Sequence, residues 1–423
     1  MKRLAIGFLL GLIILCSTIL LLQPQTTRVV TTVTPALTKT LVPTDSSLPI
    51  STTPPKKTIY KSIEQRIGDR VFPSIFQAWN GADNLPGEDP DVTVARHDLA
   101  WYSEGQLEIQ WDNAFAGLGT SFITSSLVGA GAKRNIFLGY NPNMILLAEV
   151  RYHDGPPNWL PFDHTWWVRD ANGDRTVGWP EGGYYVLDWR KPAFRTQVAA
   201  QAKAFIETGI FDGIFLDWWQ DGDPDRLEML KEVRSAIGED KLIIVNSNRS
   251  PTPNSAPYVN GLFMEANAPI YAPEWAEIGD TLLWAETNLR HPRVNALETF
   301  YVSSRDDLNR MRATTALALT HSNGYVLFSD PNSLPEPDHL HNWYAFWDQK
   351  TLGKPIGAMI KRSDGAFQRE FDGGTVIYNP LYQAIRVAFT ETRTSAATGE
   401  SATTFSLNAM DGDLYIMSPS ATR

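Results

Sequence analysis

The chain has 423 residues, of which 43% are hydrophobic and 20% charged, and its net charge is −10. These proportions predict a globular protein with a large core, and the acidic balance excludes a protein that binds the phosphate backbone of nucleic acid. The single cysteine, Cys16, excludes disulfides and thiolate metal clusters. Because the seven histidines are scattered as well, we expect neither a metal nor another cofactor.

The N-terminus predicts a targeting segment. Lys2 and Arg3 precede an uncharged apolar run over residues 4–22, which is close to the length that a membrane-spanning helix needs. The basic residues predict that the rest of the chain lies on the outer face of the cell envelope. A cleaved signal peptide, and hence a secreted protein, is the alternative, and Cys16 also allows a lipid anchor, although Leu15 stands where a small residue is expected.

Residues 23–60 contain eleven Thr and six Pro and few large apolar side chains. Such a composition cannot bury enough surface to offset the entropy of ordering, so it predicts an extended, exposed stalk.

After Gly68 the chain alternates between short apolar runs and amphipathic stretches. Continuous apolar runs are typical of strands that are buried on both faces of a parallel sheet. Eight such runs predict strands over residues 71–77, 98–102, 144–152, 211–218, 242–246, 261–265, 294–301 and 325–329.

Three helices are well marked between these strands, over residues 193–207, 224–237 and 305–320. The second begins with Asp223 as a cap residue and Pro224 at the first helical position, and it ends at Gly238. Eight strands with intervening helices over residues 61–350 match the size of a (β/α)8 TIM barrel. A doubly wound open sheet is the alternative, but the Gly-rich stretch at 129–133 lacks the spacing of a nucleotide-binding loop.

Residues 351–423 predict a small antiparallel β domain, because short apolar runs alternate there with turn signals such as 372–374 and 411–413. The runs cover residues 356–360, 367–371, 374–378, 385–389, 405–407 and 414–416. The polar stretch 391–403 between two of them predicts an exposed loop.

Catalytic residues of TIM barrels lie at the carboxyl ends of the strands. Asp217 closes the apolar run of the fourth predicted strand, and we expect it to be catalytic. Asp212 lies five residues earlier, about 16 Å lower on the strand, so we expect it to be structural.

Glu265 ends the sixth predicted strand. A charge at the end of an apolar strand is costly unless it is solvated, paired or used, and an ion pair with Arg249 is the structural alternative. The ends of strands four and six can face each other across the barrel mouth. Two carboxylates there fit glycoside hydrolysis, with a separation of about 5–5.5 Å for a nucleophile with an acid/base or about 6.5–9.5 Å for an inverting pair.

Further candidates surround these two carboxylates. Tryptophans near strand ends offer flat faces for stacking on sugar rings: Trp79, Trp101, Trp189, Trp218, Trp219 and Trp284. Polar residues at strand ends are further candidates for substrate binding: Asp98, Arg151, Asp188, Asn246, Asn248, Glu298 and Asp330. His339 and His341 lie two residues apart without a matching carboxylate cluster, so we expect no metal site there.

The run at 211–218, Phe-Asp-Gly-Ile-Phe-Leu-Asp-Trp, resembles the fourth-strand signature of glycoside hydrolases related to endo-α-1,4-polygalactosaminidases and, more distantly, the α-galactosidase group. The chain is more closely similar to hypothetical glycoside hydrolase family 15 proteins, whose C-terminal domain carries a pattern like that at 371–380. The resemblance covers residues 68–420 and implies a retaining glycosidase with Asp217 as nucleophile and Glu265 as acid/base. In the α-galactosidase group the second carboxylate is usually Asp, and here it is Glu.

The sequence therefore predicts an extracellular glycoside hydrolase acting on a polysaccharide, attached to a membrane through residues 4–22. A carbohydrate-binding surface protein without turnover and a transglycosylase on the same barrel are the alternatives.

Overall fold

The computed structural model describes residues 60–82, 85–112, 118–267, 270, 273–331 and 339–418. The predicted anchor and all of the predicted stalk except Tyr60 lie outside these residues. Among the helices that are described, none has both the length and the apolarity needed to cross a membrane.

A parallel sheet of eight strands forms the body of the protein, with the order β1-β2-β3-β6-β7-β8-β9-β10. Parallel pairing of Ile75 with Val326 joins the two edges and closes the sheet into a barrel. The elements up to β10 are α1 (Ile63–Asp69), β1 (Phe76–Ala78), α2 (Pro90–Ala95), β2 (Leu99–Tyr102), α3 (Thr124–Tyr140), β3 (Ile145–Glu149), β4 (Asp154–Gly155), β5 (Tyr185–Val186), α4 (Pro192–Glu207), β6 (Gly213–Leu216), α5 (Pro224–Ile237), β7 (Leu242–Asn246), β8 (Gly261–Ala266), α6 (Pro273–Asn288), β9 (Ala296–Phe300), α7 (Leu308–His321) and β10 (Tyr325–Ser329).

Seven of the eight predicted strands contain an observed strand or match it within one residue, and the TIM barrel prediction is confirmed. The first predicted strand ends one residue short of β1, which begins only at Phe76. The predicted helix signals also hold: Asp223 accepts hydrogen bonds from the first turn of α5, and Gly238 ends that helix with φ 89°. The two-stranded sheet β4–β5 has no counterpart in the predictions; its strands lie in the long segment between β3 and α4.

Large aromatic side chains fill the barrel interior below its carboxyl end. The Trp101 ring stacks on Phe215 at 4.7 Å and on Phe76 at 4.9 Å, and Phe263 meets it edge-on at 4.9 Å. Trp101 is fully buried, so it belongs to this core and not to a sugar-binding surface. Trp79 packs edge-on above the same layer, 5.4 Å from Phe215. The barrel is therefore solid, and only its mouth is open to a ligand.

Asp212 lies at the opposite, amino-terminal end, where it is buried between two arginines. Arg66 of α1 and Arg134 of α3 both donate to its carboxylate, the latter at 2.9 Å. Although burial opposes ionisation, Arg134 and Arg66 hold the pKa of Asp212 below its usual value. Asp212 thus connects α1 and α3 to the start of β6.

The C-terminal part is a six-stranded antiparallel sheet, as predicted, with the order β11-β12-β13-β16-β14-β15. Its strands are β11 (Ile360–Lys361), β12 (Phe367–Phe371), β13 (Gly374–Asn379), β14 (Ile385–Ser395), β15 (Ser401–Leu407) and β16 (Asp411–Met417). The prediction of an exposed loop over 391–403 is wrong, because β14 and β15 extend through most of it as a long hairpin. Asp411, at the start of β16, binds Arg312 of α7 at 2.7 Å and so attaches the sheet to the barrel.

Candidate active site

A cavity of about 520 Å³ opens at the carboxyl end of the barrel strands, a size typical of small-ligand sites. Both predicted catalytic carboxylates line it, together with five of the thirteen candidates for sugar stacking or substrate binding. These seven residues are Asp217, Glu265, Trp79, Arg151, Trp218, Asn246 and Asn248.

One amide group joins the two carboxylates. The side-chain nitrogen of Asn246, at the end of β7, donates to an Asp217 oxygen at 2.9 Å and to a Glu265 oxygen at 2.7 Å. Since both oxygens lie on the same nitrogen, they can be no more than 5.6 Å apart, the combined length of the two bonds. This upper limit lies close to the separation of about 5–5.5 Å for a nucleophile with an acid/base and below the separation of about 6.5–9.5 Å for an inverting pair.

The surroundings give the two carboxylates different proton affinities. Burial raises the pKa of Asp217, and the nearby Arg151 cation opposes that rise. Burial and the negative charge of Asp217 raise the pKa of Glu265 to about 7. Arg249, the alternative partner of Glu265, instead binds Glu274 and Glu277 on α6. A pair with separated pKa values is the arrangement that assigns one carboxylate as acid and the other as anion.

Arg151 occupies one wall of the cavity with two carboxylates of its own. Its guanidinium donates to Glu149 at 3.2 Å and to Asp154 at 2.9 Å. Glu149, which the sequence analysis missed, ends β3 and also accepts the indole N–H of Trp79 at 2.8 Å. The predicted third strand extends past Glu149 to residue 152, so the sequence identifies Arg151 and not Glu149 as a candidate.

Four cavity residues have left-handed backbone conformations, although none is glycine. The φ angles of Trp79, Trp218, Asn248 and His339 lie between 52° and 59°. Trp79, Trp218 and Asn248 each lie within two residues of the end of a barrel strand, whereas His339 lies ten residues after β10. Such conformations cost free energy and concentrate at functional sites, because they present side chains at angles that a regular turn does not reach.

Trp218 presents its ring to solvent at the cavity, where 46% of the residue is exposed. Its ring stacks on His153 at 4.9 Å with an interplanar angle of 9°, and His153 stacks on Trp189 at 5.4 Å. Trp219 differs, because it is buried and donates to Ser255 at 2.9 Å. The stack holds the Trp218 ring as a flat surface, whereas Trp219 is part of the core.

The other predicted substrate-binding residues do not line the cavity. Asp98 precedes β2 and therefore lies at the amino-terminal end of the barrel, hydrogen-bonded to Asn141; that prediction is wrong because the strand begins after it. Asp188 forms an ion pair with Arg190, and Asp330 forms one with Arg305, so both carboxylates stabilise the loops in which they lie. Glu298 is fully buried beside Glu265, where a substrate cannot reach it.

Several cavity residues come from loops that carried no sequence signal. The segment between β3 and α4 contributes Pro156, Trp159, Trp179 and Tyr184, and the turn after β2 contributes Ser103 and Gln106. Their positions depend on how the loops fold back over the barrel, which hydrophobic periodicity does not report.

His339 also lines the cavity, close to two carboxylates that are distant in sequence. One carboxylate oxygen of Glu265, one carboxylate oxygen of Glu298 and one ring nitrogen of His339 all lie within 4.8 Å of one another. One of these contacts is a hydrogen bond, since Nδ1 of His339 lies 2.9 Å from Glu298. His341, the other histidine of the pair noted in the sequence, points to His97 at 2.9 Å instead.

No protein-family model matches the chain, and no curated protein matches it. Among solved structures the chain is similar to cyclic alpha-maltosyl-(1→6)-maltose hydrolase from Arthrobacter globiformis, with 11% identity and a TM-score of 0.51 over 84% of this chain and 100% of that one. It is also similar to a noncanonic maltogenic alpha-amylase from Thermotoga neapolitana, with 11% identity and a TM-score of 0.50 over 82% and 99% of the two chains. These likenesses establish the barrel fold.

Proposed function

We propose that the protein is a retaining glycoside hydrolase that cleaves a polysaccharide outside the cell. The observation that carries the proposal is the Asn246 amide that holds Asp217 and Glu265 within 5.6 Å at the barrel mouth. The structural neighbours, a maltogenic alpha-amylase and a cyclic alpha-maltosyl-(1→6)-maltose hydrolase, support glycoside hydrolysis on this kind of barrel.

In the proposed reaction Asp217 is the nucleophile. Its carboxylate oxygen forms a bond to the anomeric carbon while the bond from that carbon to the leaving oxygen breaks. Glu265, with its pKa raised to about 7, gives its proton to the leaving oxygen. Water then attacks the anomeric carbon, its proton passes to Glu265, and the ester bond to Asp217 breaks.

The assignment of roles follows from the charges. Arg151 favours the ionised form of Asp217, whereas the negative charge of Asp217 favours the protonated form of Glu265.

The exposed Trp218 ring offers a surface on which a sugar ring can stack. The run at 211–218 supports a family relationship to the polygalactosaminidase-related glycoside hydrolases. Residues 4–22 would hold the enzyme at the outer face of a membrane, or direct its secretion if they are cleaved.

Reducing-end release from a panel of α- and β-linked polysaccharides tests this function. We expect the wild type to cleave at least one polysaccharide and Asp217→Asn to lose several orders of magnitude in rate, because the amide cannot form the glycosyl ester. Asp240→Asn is the matched control, since that side chain is 77% exposed and lies on a distant turn. An Asp217→Asn variant that cleaves at the wild-type rate would contradict the proposal. Retention of a polysaccharide without cleavage by either protein would favour a binding protein.

A further inference from the structure

Behind Glu265 lies a second acidic side chain that does not reach the cavity. Glu298 on β9 is paired in register with Glu265 on β8, so the two side chains are neighbours on the same face of the sheet. Glu298 has no exposed surface. It accepts a hydrogen bond from the Ser329 hydroxyl on β10 and contacts Nδ1 of His339 through both oxygens, at 2.9 and 3.0 Å.

His339 is held in place from several sides. Only 4% of the residue is exposed, its backbone has the left-handed φ of 59°, and its N–H donates to the Asp330 carbonyl at 3.2 Å. Its ring lies 4.7 Å from that of Trp79 and 5.7 Å from that of Phe300. The imidazole is thereby fixed between the two glutamates.

A buried carboxylate is costly unless a counter-charge accompanies it. The contact of Nδ1 with both oxygens of Glu298 places a histidine where it can supply that charge as an imidazolium. A charged His339 would lie within 4.8 Å of a Glu265 oxygen, where it favours the ionised form of that carboxyl.

We propose that His339, kept charged by Glu298, is a positioning residue that lets Glu265 release its proton in the first step and take up a proton in the second. This inference rests on the proposed function for its place in the reaction. The electrostatic arrangement itself can be measured without any substrate.

The charged groups that face Glu265 are Asp217 from β6, Glu298 from β9 and His339 from the segment after β10; the Asn246 amide faces it from β7. Asp217 and Glu298 favour protonated Glu265, and His339 opposes them. Without the imidazolium, two negative neighbours would keep the proton on Glu265. Glu265 would then protonate the leaving oxygen poorly in the first step. In the second step it could not accept the proton of the attacking water.

Infrared titration of the carboxyl bands tests the arrangement. The band that disappears in Glu265→Gln identifies Glu265, and its midpoint is then followed in the wild type and in His339→Gln. We expect the midpoint to rise by about one pH unit in His339→Gln, because the opposing positive charge is lost. His321→Gln is the matched control: that histidine is equally buried but lies on α7, packed against Phe367. An unchanged midpoint in folded His339→Gln overturns the inference.

A second measurement uses the unmodified protein in case His339→Gln does not fold. Burial lowers the pKa values of His97, His321 and His341, so these three rings are neutral at about pH 8. We therefore expect nitrogen NMR of ¹⁵N-histidine-labelled protein to show one ring doubly protonated at that pH. A spectrum in which all rings are neutral contradicts the inference. Because neither measurement depends on turnover, a wild type that cleaves no polysaccharide would contradict the proposed function alone.

Discussion

Arg151 stands beside two carboxylates and within electrostatic reach of a third. Glu149 and Asp154 hold its guanidinium by hydrogen bonds, and its charge acts on Asp217 across the cavity. The cation thereby offsets part of the rise that burial causes in the pKa of Asp217. Charge placed beside one member of an acidic pair is how a protein gives two carboxyl groups opposite tasks.

We predict that Arg151→Gln raises the pKa of Asp217, because its opposing cation is removed while burial remains. Since the proposed reaction requires Asp217 to be ionised, the acid limb of the kcat/KM profile should move to higher pH, by about one unit. The profile is measured on whichever polysaccharide the wild type cleaves. Arg190→Gln is the control, because that side chain is 59% exposed and binds Asp188 outside the cavity. An acid limb that stays in place would show that Arg151 does not act on the nucleophile.

At the scale of single residues, the sequence was informative where a polar side chain interrupts an apolar run. Asp217 and Glu265 end runs that could only be buried strands, so their place at the barrel mouth followed. Asp98 stands at the opposite end of such a run, where the same pattern has the opposite meaning. The position of His339 at the site could not be predicted, because its two carboxylate neighbours come from strands 41 and 74 residues away in the chain.

Among the elements, α1 and α3 depend on one buried carboxylate at the start of β6. Asp212 receives both Arg66 and Arg134, and all three side chains are almost fully buried. Removing the negative charge leaves two buried cations without compensation, which costs more than a pair at the surface.

We predict that Asp212→Asn lowers the free energy of unfolding by about 3 kcal/mol at neutral pH, as measured by denaturant titration. Because the folded-state pKa of Asp212 is depressed, its contribution is present above the ordinary pKa of 3.8 and is lost as the pH falls through the folded-state value. The difference between wild type and variant should therefore narrow in acid. Asp240→Asn, at a 77% exposed side chain, should change stability by less than about 0.5 kcal/mol. Equal losses in the two variants would contradict this role for Asp212.

The strands of the barrel could be predicted more closely than those of the C-terminal sheet. A strand such as β7 is buried on both faces, so its residues form an unbroken apolar run whose ends are visible in the sequence. In β14 and β15, most exposed positions are filled by Thr, Ser and Glu, which are also typical of loops. The hairpin over 391–403 was therefore mistaken for a loop.

On the scale of the whole molecule, the C-terminal sheet covers a helix of the barrel that has little polar surface to expose. All residues of α7 from Ala313 to His321 are buried, and β13 and β16 pack against it. The contact is close at Gly412, where a β-carbon would lie 2.3 Å from that of Ala316 and 2.7 Å from the Arg312 carbonyl oxygen.

We predict that Gly412→Ala destabilises the protein by about 1–3 kcal/mol, because the sheet must move away from α7 to admit the methyl group. Thermal unfolding measures the effect as a lower Tm. Gly357→Ala in the same sheet domain is the control, since a β-carbon there meets nothing within 4 Å. A Tm unchanged in Gly412→Ala would mean that the sheet is not tightly seated on the barrel.

The pairing of Ile75 with Val326 also constrains the order of events during synthesis. The two partners are separated by about 250 residues. The edge of β1 that pairs with β10 therefore stays unpaired until nearly the whole barrel has left the ribosome. Until then β1 and the growing end of the sheet present unpaired backbone groups, the feature that makes open sheets prone to aggregation. The α7 surface remains uncovered for longer still, because β16 is synthesised about 90 residues after α7. Slow translation or heat stress should therefore cause more aggregation of the nascent chain than of the finished protein.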